Sequence, residues 1–285
     1  MSHNIALVRS ISGLRQQVSE WRNQGLRIGL VPTMGALHKG HLSLVKAIAP
    51  KVDKIIVSIF VNPSQFGIGE DLENYPRTEA DDCAKLSATP ANLVFAPTVA
   101  EMYPGGHATR IIVSGISEIL EGAQRRGHFD GVATIVSKLL HQCQPDTAIF
   151  GEKDYQQLAI IKQFVRDLDI PVEIIGGALI READGLAYSS RNAYLNSAER
   201  AIAGQFNVIL NDLVAKAQCG GSLRKIEDNA IAALLSAGFT QVDYVSIVDP
   251  KTLLPLEALT ATARVLAVAR VGGVRLLDNM EITAP

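Results

Sequence analysis

The run Val31-Pro32-Thr33-Met34-Gly35-Ala36-Leu37-His38-Lys39-Gly40-His41 closes an apolar segment and opens an amphipathic one. A strand that passes into a helix through a glycine-bearing loop sets backbone N–H groups and the positive end of the helix dipole where an anion binds. Gly35 and Gly40 have the spacing of a P-loop, but His41-Leu42 stands where that motif needs Lys-Ser or Lys-Thr, so the P-loop reading fails. What remains is a phosphate-binding strand end that carries two imidazoles, His38 and His41.

Outward from this loop, short apolar runs at 28–31, 54–61, 93–95, 111–113, 147–150 and 172–175 read as strands. Amphipathic stretches at 41–49, 78–87, 132–142 and 155–168 read as the helices between them. Repeated βα units predict a doubly wound parallel sheet of Rossmann-like type, whose ligands bind beyond the carboxyl ends of the strands. After Gly176-Gly177 the texture changes to helices at 197–218 and 222–237 and strands at 241–248 and 264–271, which predicts a smaller α+β domain. The expected division is 1–179 and 180–285, with 181–192 as the connection.

The chain has 285 residues, 47% hydrophobic and 20% charged, a globular composition with no room for long disorder. A formal net charge of -2 excludes broad electrostatic capture of nucleic acid or an anionic membrane, while leaving room for a local cationic phosphate site. Cys83, Cys143 and Cys219 are odd in number and form no CxxC pair, so neither a disulfide framework nor a zinc knuckle is expected. No apolar run reaches the ~18 residues that span a bilayer. Arg9 and Arg15 precede the first acid, Glu20, yet a strand and a helix are needed ahead of the histidine loop, so a transit peptide is not the reading taken. The expected setting is the cytoplasm, with no membrane and no nucleic-acid partner.

Two imidazoles three residues apart at a helix start resemble the HxGH signature of the nucleotidyltransferase superfamily. Attack on an α-phosphate builds charge on the bridging oxygen of the departing pyrophosphate, and an imidazole N–H can hydrogen-bond it. An isolated histidine here would more often cap the helix or face solvent, and an HxxH metal pair lacks a third ligand nearby.

Further blocks follow in order: Phe60-Val61-Asn62-Pro63-Ser64-Gln65-Phe66, Tyr75-Pro76-Arg77-Thr78, Gly127-His128-Phe129-Asp130-Gly131-Val132, Phe150-Gly151-Glu152-Lys153-Asp154-Tyr155-Gln156-Gln157-Leu158 and Ser189-Ser190-Arg191-Asn192. Together with 32–41 they resemble the pantothenate synthetase family over both expected domains. The resemblance implies ATP-dependent condensation of pantoate with β-alanine through a pantoyl-adenylate, with AMP and pyrophosphate released, magnesium required, and a cytoplasmic homodimer. It implies that Pro32, Thr33, Met34, Gly35, His38, Gly40 and His41 bind ATP, joined by Gly151, Lys153, Asp154, Ile180, Tyr188, Ser189, Ser190 and Arg191. His41, His38, Lys153 and Arg191 are its catalytic candidates, and Asp154 is the one candidate contact to magnesium carried by the phosphates. Gln65 and Gln157 would hold pantoate, with Asn62, Phe60, Tyr75, Arg125 and His128 as further substrate candidates; the role of Arg126 is left open. Where this chain has Tyr188 the family often has Met or Leu.

Read from the residues alone, a lysine after the strand at 147–150 can neutralise phosphate, while acids at a helix start are common without any ligand. A neutral glutamine amide can orient a carboxylate nucleophile without the ground-state stabilisation that an arginine would impose. Ser189-Ser190-Arg191 reads as a lid over a triphosphate or as a plain linker. The nearest rival is an HxGH adenylyl- or cytidylyltransferase, which would leave the mononucleotide on its product. A non-catalytic nucleotide sensor on the same fold would bind ATP without turnover. A tRNA synthetase is disfavoured by the short chain and the absence of a basic excess.

Overall fold

Along the segments that form the sheet, buried side chains alternate between two faces. Ile28, Leu30, Ile56, Leu93, Phe95, Ala148 and Phe150 enter one core, whereas Val31, Ile55, Val57, Val94 and Ile149 enter another. Strands buried on both sides belong inside a sheet covered by helices on both faces. The computed structural model, which describes residues 5–67 and 69–284, has that arrangement.

The elements run β1 (Ala6–Val8), α1 (Ile11–Asn23), β2 (Ile28–Thr33), α2 (Lys39–Ile48), β3 (Lys54–Ile59), α3 (Glu79–Ser87), β4 (Leu93–Phe95) and the short α4 (Val99–Met102). They continue with the short α5 (Glu121–Gln124), then α6 (His128–Cys143), β5 (Thr147–Gly151), α7 (Tyr155–Asp167) and β6 (Glu173–Gly177). These six strands pair in parallel in the order β1-β4-β3-β2-β5-β6. Helices α1, α6 and α7 cover one face, and α2 and α3 cover the other. The chain leaves β2 toward β3 and β4 on one side and later fills β5 and β6 on the other. The carboxyl ends of β2 and β5 therefore flank the point where the winding reverses, the place where open α/β sheets bind ligands.

The second part contains α8 (Ser197–Gln218), α9 (Leu223–Ser236) and an antiparallel sheet of β7 (Gln241–Val248), β8 (Ala263–Val271) and β9 (Val274–Ile282). Its core includes Phe206, Leu210, Leu213, Leu234, Ile247, Val265 and Ile282. Asn196 starts α8 with a capping box, its side chain accepting from Ala198 and Glu199 N–H while the Glu199 carboxylate accepts Asn196 N–H in return. The described chain divides into two compact units: residues up to Glu152 with Gln156–Ala178, and Lys153–Tyr155 with Leu179 onward.

The doubly wound parallel sheet with a smaller α+β part is the fold that the periodicity predicts. One expected strand is corrected. Residues 111–113 join no sheet: Ile111 N–H donates to Thr134 Oγ1 at 3.0 Å, and Val113 is buried against the α6 side of the core. Their apolar pattern reports packing against a helix, which periodicity alone does not separate from strand pairing.

Candidate active site

The loop after β2 is held from both sides. Thr33 Oγ1 donates to Ser58 O at 2.7 Å and accepts from Gly35 N–H at 3.2 Å. Gly35 has φ 87° and Ala36 φ 50°, so two successive left-handed residues reverse the chain before His38. A side chain at Gly35 would be strained by that dihedral and would meet Ile59 and Asp82 at 3.1 and 3.2 Å.

His38 is the N-cap of α2, with extended backbone angles. The His38 and His41 rings lie 4.0 Å apart between centroids, and His41 Nδ1 accepts the His38 backbone N–H at 3.4 Å. An imidazole that accepts at Nδ1 carries its proton on Nε2 when neutral, so His41 has a defined donor edge. The first turn of α2 contains no acid, which leaves its dipole open to an anion; α3, by contrast, begins with Glu79, Asp81 and Asp82.

The loop after β3 meets this one through side chains. Gln65 Nε2 donates to Met34 Sδ at 3.1 Å, and Asn62 Nδ2 donates to Gln65 Oε1 at 3.1 Å and to Gly131 O at 3.2 Å. Asn62 is buried, and its Oδ1 accepts from Ser64 Oγ and from Tyr103 OH, each at 2.8 Å. Helix α6 passes close beneath: a Cβ on Gly131 would lie 2.2 Å from Ser64 O. Only glycine lets the helix and the Gln65 loop approach so closely.

Arg125 and His128 support the same loop from α5 and the start of α6. Gln65 O is 2.7 Å from His128 Nδ1 and accepts from Arg125 Nη2 at 3.2 Å. Arg125 also grips Glu70 through Nε at 2.7 Å and Nη2 at 2.6 Å and reaches Glu121 at 3.3 Å. Burial, reinforced by the Arg125 charge, pushes the His128 pKa down to about 4, so this imidazole is neutral near pH 7. Burial opposes ionisation of Glu70, yet the hydrogen bonds and charge of Arg125 outweigh it and hold that carboxyl below its usual range. A cleft of about 610 Å³ opens beside this cluster, with Ser64, Gln65, Tyr103, His107, Arg110 and His128 among its lining.

The sequence candidates are thus distributed unevenly. Met34, Asn62 and Gln65 are joined by hydrogen bonds, and Arg125 and His128 reach Gln65 through its backbone. Phe60 and Tyr75 are core side chains, packed against Tyr103 and Phe66 respectively. Pro32 pairs with Ser58 in the sheet, Gly151 ends β5, and Gln157 lies half-buried in the first turn of α7. Its neighbour Gln156 is fully engaged, donating to Ile116 O and Ile119 O and accepting from Glu121 N–H.

In the second unit, Lys153 Nζ is 3.5 Å from Asp154, and Asn279 Nδ2 on β9 donates to Lys153 O at 2.9 Å. Arg264 donates to Asn279 Oδ1 and stacks on the Tyr155 ring at 4.1 Å. Ile180 O accepts from Tyr188 N–H at 3.1 Å within a short turn bridged at Arg181 and Ala187. Ser189 Oγ accepts Arg191 N–H at 3.2 Å and starts the short 3-10 helix Ser190–Tyr194. Asn192 is anchored to Glu182 at 2.7 Å and Ala187 O at 3.0 Å, and Arg200 ties Glu182 to Asp184. The expected connection is therefore an ordered turn in this unit.

Asp82, Gly131, Tyr103 and Asn279 were not among the sequence candidates. Asp82 left one readable trace, an acid four residues before Leu86 on the apolar face of α3; both are buried.

A doubly wound sheet with paired imidazoles at the helix start beyond its central strand defines a nucleotidyltransferase-type fold. Residues 6–281 match the Pantoate-beta-alanine ligase family, and the chain belongs to that family, an acid–amine ligase family. A pantothenate synthetase from Paramagnetospirillum magneticum is 52% identical over 99% of both chains. One from Rhizorhabdus wittichii is 51% identical over 97% of this chain and 98% of the relative. The crystal structure of pantothenate synthetase from Thermus thermophilus superimposes with a TM-score of 0.93 at 42% identity, covering 99% of this chain and all of that one. A pantoate-beta-alanine ligase from Francisella tularensis, complexed with beta-gamma ATP and beta-alanine, gives a TM-score of 0.83 at 34% identity over 97% of each chain.

Proposed function

We propose that this ligase activates pantoate with ATP as a pantoyl-adenylate and then transfers the acyl group to β-alanine. The observation that carries the reading is the pairing of His38 and His41 at an acid-free helix start, with the Gln65 amide bonded to Met34 of the same loop. The nucleotide and amine in the Francisella tularensis relative support the same substrates here.

In the first step the pantoate carboxylate attacks the α-phosphorus in line, the α–β bridging P–O bond breaks, and pyrophosphate departs. The Nε2–H edge of His41 donates to the departing oxygens, and the backbone N–H groups at the start of α2 carry the rest of the phosphate charge. Gln65 and Gln157 orient the carboxylate by neutral hydrogen bonds, which leaves it nucleophilic. The family resemblance gives Lys153 and Arg191 cationic roles toward the phosphates. In the second step the free β-alanine amine attacks the activated carbonyl, AMP leaves, and exclusion of water protects the mixed anhydride in the interval. The division into a nucleotide- and pantoate-binding part, 1–179, and a closing part, 180–285, belongs to this reading, as does a homodimer, which light scattering on the purified protein tests.

Among the described residues no group of three or more His, Cys, Asp or Glu side chains is arranged to hold a metal ion. Asp154 is the residue that would hold a magnesium ion arriving with the nucleotide, and when bound the ion would neutralise phosphate charge.

The test supplies enzyme with ATP and pantoate but no β-alanine. A stoichiometric burst of pyrophosphate with retained adenylate is expected; absence of a burst rejects the adenylate. A rival adenylyltransferase would instead retain the mononucleotide on its final product, so AMP release in the complete reaction separates the two.

A further inference from the structure

Helix α3 contributes a buried carboxylate to the back of the histidine loop. Asp82 is fully buried; its Oδ2 accepts Ala36 N–H at 2.9 Å and its Oδ1 accepts Leu37 N–H at 2.7 Å. Thr78 Oγ1 donates to Asp82 Oδ2 at 3.2 Å. One turn further along α3, Lys85 Nζ donates to Leu37 O at 2.9 Å and lies 3.9 Å from Asp82. The peptide groups on both sides of Leu37 are therefore held by two side chains of one helix, the acid taking the N–H groups and the base taking the carbonyl.

A carboxylate on the apolar face of a helix is costly unless its oxygens are bonded. The loop supplies the reason for it. The left-handed residues Gly35 and Ala36 turn the chain so that the Ala36 and Leu37 N–H groups face α3, and a carboxylate with two acceptor oxygens can take both. An aliphatic residue at 82 would fill the space and remove the acceptor that both N–H groups share. Lys85 balances the charge of Asp82, so the brace adds little repulsion toward a phosphate at the start of α2.

We infer that Asp82 and Lys85 are positioning residues for ATP, acting through the 35–38 backbone to set the His38 and His41 rings without touching the nucleotide. The inference rests on the assignment of His38 and His41 to the nucleotide.

The test measures binding of adenosine 5′-(β,γ-imido)triphosphate by calorimetry, steady-state constants for each substrate, and hydrogen exchange at the Ala36 and Leu37 amides. Asp82→Asn, which keeps one acceptor, is expected to weaken analogue binding about tenfold, the size of losing one charge-assisted bond. Lys85→Met should weaken it less, by about threefold. Both should speed exchange at the two amides and leave the KM for pantoate within about twofold. Asp81→Asn makes the same charge change on the exposed side of α3 and is expected to match the unsubstituted protein. A folded Asp82→Asn with unchanged analogue affinity and unchanged exchange overturns the inference. If Asp82→Asn does not fold, unchanged affinity and exchange in Lys85→Met overturn it. His41→Ala separates the two levels: normal turnover there rejects the nucleotide assignment itself, whereas impaired His41→Ala beside normal Asp82→Asn rejects only the brace.

Discussion

The Gln65 amide donates to the Met34 sulfur at 3.1 Å, joining the loops that follow two neighbouring parallel strands. Sulfur is a weak acceptor, so this bond is easily exchanged for a stronger one to a carboxylate. Gln65→Glu replaces that donor with a negative charge. The KM for pantoate should rise at least tenfold while the KM for ATP stays within about twofold, as expected when one charge-assisted bond becomes a repulsion. Equal changes in both constants, measured by steady-state kinetics, would count against the carboxylate-orienting role.

His41→Ala removes a half-buried ring from outside the hydrophobic clusters, so thermal stability should change little. The pyrophosphate burst should slow by on the order of 10² or more, the scale of losing one donor to a developing oxyanion. A burst of normal rate would remove His41 from the step.

Gly131→Ala places a Cβ 2.2 Å from Ser64 O, an overlap with backbone that no rotamer relieves. The helix and the Gln65 loop must separate, at about 1–3 kcal/mol. Urea denaturation should report that loss, and pantoate affinity should fall more than ATP affinity. Wild-type stability would show that α6 and the loop do not approach as closely as described.

His128 ties stability to pH. Its folded pKa of about 4 lies below the ordinary 6.5, so between those values the unfolded chain binds the proton and the folded chain does not. The contribution is complete above about pH 6.5 and falls away as pH drops toward 4, by at most on the order of 3 kcal/mol. Glu70 acts in the same direction at lower pH, because its folded pKa is also depressed. His128→Asn should flatten the urea midpoint against pH between 6.5 and 4 relative to wild type; an unchanged slope would show that His128 does not titrate as described.

The parallel sheet was legible because strands buried on both faces must be almost wholly apolar, as in Ile55, Ile56 and Val57. The imidazole loop was legible because glycine, histidine and a helix start lie close together between Val31 and His41. β9 was not, because Arg275, Asp278 and Glu281 interrupt its apolar pattern; Asp278 is nonetheless buried against Arg181, at 2.6 Å. The supporting contacts were hidden for a different reason. Asp82 meets Leu37 across 45 positions and Asn62 meets Gly131 across 69, and hydrogen bonds between a loop and a helix distant in sequence leave no periodicity behind. Residues 111–113 misled in the opposite sense, since an apolar run satisfies a helix as well as a neighbouring strand.

The tie from Asn279 to Lys153 spans 126 positions and reaches almost to the end of the last strand. During synthesis on a ribosome, the parallel sheet can assemble while that strand is still unmade. Lys153 would leave the exit tunnel well ahead of Asn279, and its carbonyl would wait for that later residue before finding this partner. A nascent polypeptide halted before Asn279 would carry every motif residue named above and still lack the bond that fixes one of them.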